Sequence, residues 1–215
     1  METTQDRMLL INKPLGWTSF DVVNKLRYRL KIKKIGHAGT LDPLATGLLI
    51  ICTGKMTKEI EGFQAQEKEY VGKFVLGQTT PSHDLETEPR EPRDIQLITE
   101  DQIRKATQQF IGLIQQTPPL YSAIKIDGKR AYEFARKGKE QELKSREVEI
   151  KEFEITNVEK PWVSFRVVCS KGTYIRSLAR DFGNALGVGA YLAELCRTRI
   201  GNFKLENALT IDQVS

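Results

Sequence analysis

Gly36-His37-Ala38-Gly39-Thr40-Leu41-Asp42-Pro43-Leu44-Ala45-Thr46-Gly47-Leu48-Leu49 is the stretch on which the reading of this chain turns. It holds one carboxylate, Asp42, in a run where glycine, threonine and proline govern the backbone and charge is otherwise nearly absent. The glycines permit sharp or left-handed turns. Pro43 disfavours the helical region for the residue before it, so Asp42 is expected in an extended or turn conformation. Leu48-Leu49-Ile50-Ile51-Cys52 then reads as a short buried strand. The segment predicts a rigid loop with an acid at its tip, leading into a core strand. Taken alone, the same residues also suit an Asx turn in which the carboxylate bonds its own backbone.

Cations gather on either side of this loop. Arg27, Arg29, Lys31, Lys33 and Lys34 precede it, and Lys125, Lys129, Arg130, Arg136, Lys137 and Lys139 form a second group. The chain of 215 residues has a formal net charge of +5, a balance shared by many proteins with no polyanion partner. Each cluster by itself suits a solvated face; two of them flanking the loop suit the phosphates of a nucleic acid. Cys52, Cys169 and Cys196 cannot all pair within one chain and show no zinc spacing. Cys52 and Cys169 each end an apolar run and are expected as buried thiols. No apolar stretch approaches membrane-spanning length and the start lacks a signal-peptide core, so the reading is a cytoplasmic protein.

The elements are readable in outline. Thr18 or Ser19 caps a predicted helix with Phe20, Val23, Leu26 and Leu30 at helical spacing. Residues 55 to 63 read as helical, and Tyr70 to Leu76 as a strand. Residues 77 to 96, rich in acids and proline, read as an exposed loop with His83 in solvent. Thr99 to Gln102 is a capping box opening a helix to about Phe110. Strands are expected at 121–126, 146–158 and 162–170, with a short helix at 129–137. Tyr174 to Leu186 is an amphipathic helix stopped by Gly187. Strands outnumber helices without β-α alternation, which predicts an α+β fold with a mixed, largely antiparallel sheet. With no repeat or linker, residues 1–215 read as a single domain.

Further blocks follow the loop in order. Asn12-Lys13-Pro14 with Gly16, Lys68-Glu69-Tyr70, Tyr121-Ser122-Ala123-Ile124-Lys125 with Gly128, Arg130, Tyr132, Ala135 and Arg136, and Cys169-Ser170-Lys171-Gly172-Thr173-Tyr174-Ile175-Arg176 complete the set. Together with the aspartate loop they resemble the motifs of the TruB-type tRNA pseudouridine synthases. The resemblance implies the pseudouridine-synthase fold, with a central cleft flanked by helices and loops. It implies isomerisation of uridine 55 in the T-loop of tRNA, by a monomer with no obligatory protein partner. A small RNA-binding domain that follows the catalytic one in longer members is expected to be missing here.

That reaction breaks the bond between ribose C1′ and N1 of the base, turns the base and reattaches it through C5. Nothing is oxidised and no group arrives from outside, so neither cofactor nor metal is expected. A carboxylate beside the sugar carbon is needed, as nucleophile or as the base that drives elimination. The resemblance gives this role to Asp42, through a ribosyl ester, a C6 adduct or a glycal. It gives Arg176 the role of pairing with that acid, and Tyr70 that of packing on the target base. His37, Tyr174, Leu195 and Lys13 are expected around the substrate, and Asp84 is given no catalytic role. A second reading is an RNA-binding or tRNA-folding module with incidental catalysis, and a third is a related synthase acting on another RNA.

Overall fold

The apolar run after the aspartate loop forms strand β3, Ala45–Thr53, in the computed structural model, which describes residues 6–122, 125–126, 129–131, 134 and 143–215. Its side chains alternate between two cores. Leu49 and Ile51 pack with Ile11, Val22, Val23 and Leu26, whereas Leu48, Ile50 and Cys52 pack with Ala38 and Ile200. Both faces are covered, so the strand carries no polar alternation.

The chain divides into two compact units, Met1–Val71 with Glu194–Ser215, and Gly72–Ala193. In the first, β1 (Met8–Lys13) runs antiparallel to β3 along residues 47–52. The other edge of β3 takes β2 (Ile35–Ala38), antiparallel, and the Leu195–Arg197 part of β10 (Ala190–Ile200), parallel. β11 (Phe203–Lys204) folds back on β10, and the chain end returns Ile211 and Val214 to the core. Helix α1 (Ser19–Leu30) opens on a full capping box between Thr18 and Asp21. Phe20, expected on its apolar face, is 59% exposed. Ser19, Val22, Val23 and Leu26 supply the true i, i+3, i+4, i+7 stripe, and Phe20 lies off it. A 3-10 turn over Gly54–Glu59 leads into α2 (Ile60–Ala65), where helix was expected.

In the second unit, β5 (Gly112–Gln116), β8 (Arg146–Glu159) and β9 (Trp162–Cys169) are antiparallel neighbours with β8 central. α3 (Glu100–Lys105) starts on the Thr99 capping box, and α4 (Ile175–Ala185) is the expected amphipathic helix. Phe74, Phe110, Phe153, Phe165 and Phe182 interlock, with Phe74 stacked on Phe165 at 4.1 Å. β4 (Lys68–Leu76) and β10 each begin in one unit and end in the other. The architecture is α+β, with parallel and antiparallel pairings.

Three expectations need revision. Gly36 to Ala38, read as loop, are strand because β3 supplies their ladder. Of the strand expected at 121–126, residues 121 and 122 lie outside any strand, 123 and 124 lie outside the described residues, and Lys125–Ile126 form β6, which pairs with β7 (Lys129–Arg130). Most of the helix expected at 129–137, and the side chains of the second basic group, lie outside the described residues. Within the segment read as exposed loop, Thr80, Ser82 and Asp84 are buried.

Candidate active site

The Asp42 loop is tied down on both sides of the acid. Before it, the Leu41 amide donates to Ser19 Oγ at 2.8 Å, and that hydroxyl returns a bond to the Leu41 carbonyl at 3.2 Å. After it, the Pro43 carbonyl accepts from the Gly16 amide at 2.8 Å, and the Ala45 amide closes a turn on the Asp42 carbonyl at 3.0 Å. Further back, Arg197 Nη2 donates to the Gly39 carbonyl at 3.1 Å. Gly39 has φ +88°, a left-handed turn position suited to glycine. Asp42 itself is half-buried at the tip of this brace.

Strand register explains what lies near it. Lys13 on β1 and Arg197 on β10 both pair with Gly47 of β3, from opposite edges. A Cβ on Gly47 would lie 2.4 Å from the Arg197 carbonyl oxygen, so only glycine lets these strands meet so closely. Lys13 is fully buried and Arg197 is 1% exposed. Lys13 Nζ donates to the carbonyls of Pro14 (3.0 Å) and Trp17 (2.5 Å), and more weakly to Pro43 (3.4 Å). Arg197 Nε donates to the Leu48 carbonyl at 2.8 Å. Burial pushes the Lys13 ammonium down to about 8; Asp42 pulls the other way, Arg197 adds to the fall, and Asp21 opposes it. Lys13 therefore lies in the fields of both the Asp42 carboxylate and the Arg197 guanidinium.

His37 lies on β2, opposite Ile51. Burial lowers its pKa, the Arg197 charge adds to that, and a bond with the Gly39 backbone opposes them, so the neutral imidazole is favoured. Its Nδ1 is buried without a hydrogen-bond partner among the described residues. Leu195 is half-buried beside Ala45 on β3, and its carbonyl accepts from Thr46 Oγ1 at 3.3 Å. Tyr70 is buried on β4, one residue before the chain leaves this unit.

The other expected site residues belong to the second unit. Tyr174 caps α4 and exchanges two hydrogen bonds with the Gln116 side chain, at 2.8 and 3.2 Å. The Arg146 guanidinium lies over its ring, 4.7 Å from the centroid. Arg176, 4% exposed, faces Asp84 with Nε to Oδ2 at 3.5 Å, and donates to the carbonyls of Tyr121 (2.9 Å) and Ser82 (3.3 Å). Asp84 is held in turn, its carbonyl accepting from Thr80 and Ser82 hydroxyls and its Oδ1 from the Glu86 amide. His83, expected in solvent, is half-sheltered instead. Burial, then the charges of Arg180 and Arg176, push its pKa down to about 4.

Sequence reasoning did not single out Arg197 or Arg146. An arginine in a strand ordinarily reads as surface, and only its register opposite Gly47 turns Arg197 inward. Asp84 matches a loop acid of the resembled family, but Pro81, His83 and Thr87 around it depart from that pattern, which is why it carries no catalytic role in the sequence reading.

Comparison with known proteins follows the same lines. Residues 27–175 match the model of the TruB family pseudouridylate synthase N-terminal domain, and residues 176–215 that of the tRNA pseudouridylate synthase B C-terminal domain. A tRNA pseudouridine synthase B of Flavobacterium johnsoniae is 55% identical over 98% of this chain and 95% of that one. Among solved structures, a chain of a Cbf5-Nop10-Gar1 complex is 34% identical with TM-score 0.75, over 95% of this chain and 53% of the other. A chain of an H/ACA RNP bound to a substrate RNA containing 2′-deoxyuridine is 31% identical with TM-score 0.71, over 95% and 51%. This chain thus spans about half the length of those two. With the aspartate loop, the ordered motif blocks and the α+β architecture all in agreement, the chain belongs to the TruB family of pseudouridylate synthases.

Proposed function

We propose that the chain converts uridine 55 in the T-loop of tRNA to pseudouridine, with Asp42 as the essential group. The observation that carries this reading is the braced loop: an acid whose backbone is anchored on both sides and whose charge is felt by the buried Lys13. The names of its relatives support tRNA as the substrate.

A base inside folded RNA is out of reach, so the uridine must turn out of its stack, at about a few kcal/mol. Asp42 then acts at the sugar, as nucleophile on C1′ or as base for elimination. Cleavage of the C1′–N1 bond leaves negative charge on the uracil ring. Cations around the site stabilise that charge and oppose the rise in carboxyl pKa that burial under a base imposes. Arg176 is assigned to Asp42 by its motif, with Asp84 orienting the guanidinium. Tyr70 packs on the base. Tyr174, steadied by Arg146, and the Leu195 backbone hold its edge, and His37 offers a neutral ring to neighbouring nucleotides.

Tritium release from C5 of uracil in tRNA tests the assignment. Asp42→Asn is expected to abolish release while tRNA affinity stays within severalfold of the parent. Equal turnover by the two proteins would remove Asp42 from the chemistry, and modification at another uridine would shift the substrate assignment.

A further inference from the structure

The C-terminal end of α1 carries a feature that the reaction does not use. Arg27, Tyr28, Arg29, Lys31, Ile32 and Lys33 line an open cleft of about 450 Å³. Tyr28 stands 87% exposed at its edge, while Ile32 is buried. Lys31 caps the helix in the left-handed conformation, φ 53°, which turns the chain back so that Lys33 follows along the same rim. No carboxylate lines the cleft among the described residues.

A simpler account is that these cations serve the helix, whose C-terminal end favours positive charge. It covers part of the set. Arg29 is engaged with the carbonyl and carboxylate of Asp212, and Arg27 donates to Asn24 within its own helix. It gives no reason for a tyrosine left almost wholly in water amid the cations, nor for charge that continues past the helix to Lys33. A flat aromatic face ringed by cations is what an unpaired base and its flanking phosphates require, since every base has a face to stack and every linkage a negative charge.

The distance to the reacting acid separates this place from the catalytic loop. Ser19, at the start of α1, holds Leu41 next to Asp42. The twelve residues of α1 extend about 18 Å from that point. One nucleotide cannot reach both ends.

We propose that the cleft at the end of α1 is a second RNA-contact site, where an unpaired base of the substrate RNA stacks on Tyr28 and adjoining phosphates lie against Arg27, Lys31 and Lys33. The proposal rests on the substrate reading above, and it calls for a nucleotide other than the one that reacts. Its contribution falls on affinity and leaves the chemical step alone.

The test is equilibrium binding of a fluorescent tRNA transcript across a salt series, with tritium release measured alongside. Tyr28→Ala is expected to weaken binding about fivefold to tenfold, with kcat unchanged and Tyr28→Phe close to the parent. Lys31→Ala is expected to reduce the slope of log affinity against log salt by about one. Parent-like binding by Tyr28→Ala overturns the site. Tyr28→Phe as weak as Tyr28→Ala overturns stacking. Because binding is read apart from turnover, failure of the parent to release tritium would refute the enzymatic assignment without deciding the cleft.

Discussion

A buried lysine beside a carboxylate moves two observables with pH, in opposite directions, and Lys13 is placed to do so. Its folded pKa of about 8 lies below the ordinary 10.5. Below about pH 8 it is charged whether folded or unfolded, and the cost of burying the charge is constant. Between those two values the unfolded chain holds a proton that the folded chain has released, so stability gains with rising pH across that window. On the proposed function catalysis responds the other way: deprotonation takes a positive charge from the field of Asp42, near a base that gathers negative charge as it leaves. We predict that kcat in the parent falls above about pH 8 while the midpoint of urea unfolding rises. In Lys13→Met both trends flatten, and kcat at neutral pH is about tenfold to a hundredfold lower. A parent pH profile without that alkaline fall would remove Lys13 from the reaction. Lys13 was legible as a motif residue, but its burial was not, because a lysine next to proline gives no sign of which side of a sheet covers it.

At the scale of elements, β3, β8, β9 and the two longer helices were legible because the pattern of apolar residues already encodes which faces are covered. β2 was not. Ile35-Gly36-His37-Ala38 has no strand signature of its own, and the partner that makes it a strand is β3. The segment before α3 misled for a related reason: its acids and prolines describe a solvated loop, whereas Asp84 is buried against Arg176 and bridged to Leu192. Gly47 tests how far the candidate site depends on pairing. A methyl there meets both backbone atoms of Arg197, at 2.4 and 2.7 Å, with φ at +101°. Gly47→Ala is therefore expected to cost about 2 to 4 kcal/mol in urea unfolding. It should also lower kcat beyond what the unfolded fraction explains, since Arg197 moves with its strand. A stable, fully active Gly47→Ala would show that the strands tolerate separation.

For the whole molecule, charge is used in two ways that salt can tell apart. The exposed ion pairs of Arg104 with Glu100, Lys105 with Asp101 and Arg166 with Glu152 sit in water and contribute little to stability. The excess of cations, 33 Lys and Arg against 28 Asp and Glu, is available to a polyanion. Raising salt is expected to leave the thermal midpoint within about 2 °C while tRNA affinity falls steeply. A midpoint that drops in step with affinity would assign those surface charges to folding. Net charge was legible from composition alone; the exposure of Tyr28 was not, since a tyrosine in an amphipathic helix more often points inward.

Because Gly39, Leu41 and Pro43 are each anchored before any substrate arrives, the aspartate loop has little left to rearrange on encounter. The burden of distortion then passes to the RNA, and the quickest substrates will be those whose loop is already loosened by a mismatch or a missing tertiary contact. In the free enzyme the Leu41 amide, hidden behind Ser19, should exchange its hydrogen slowly for a residue beside a reactive tip.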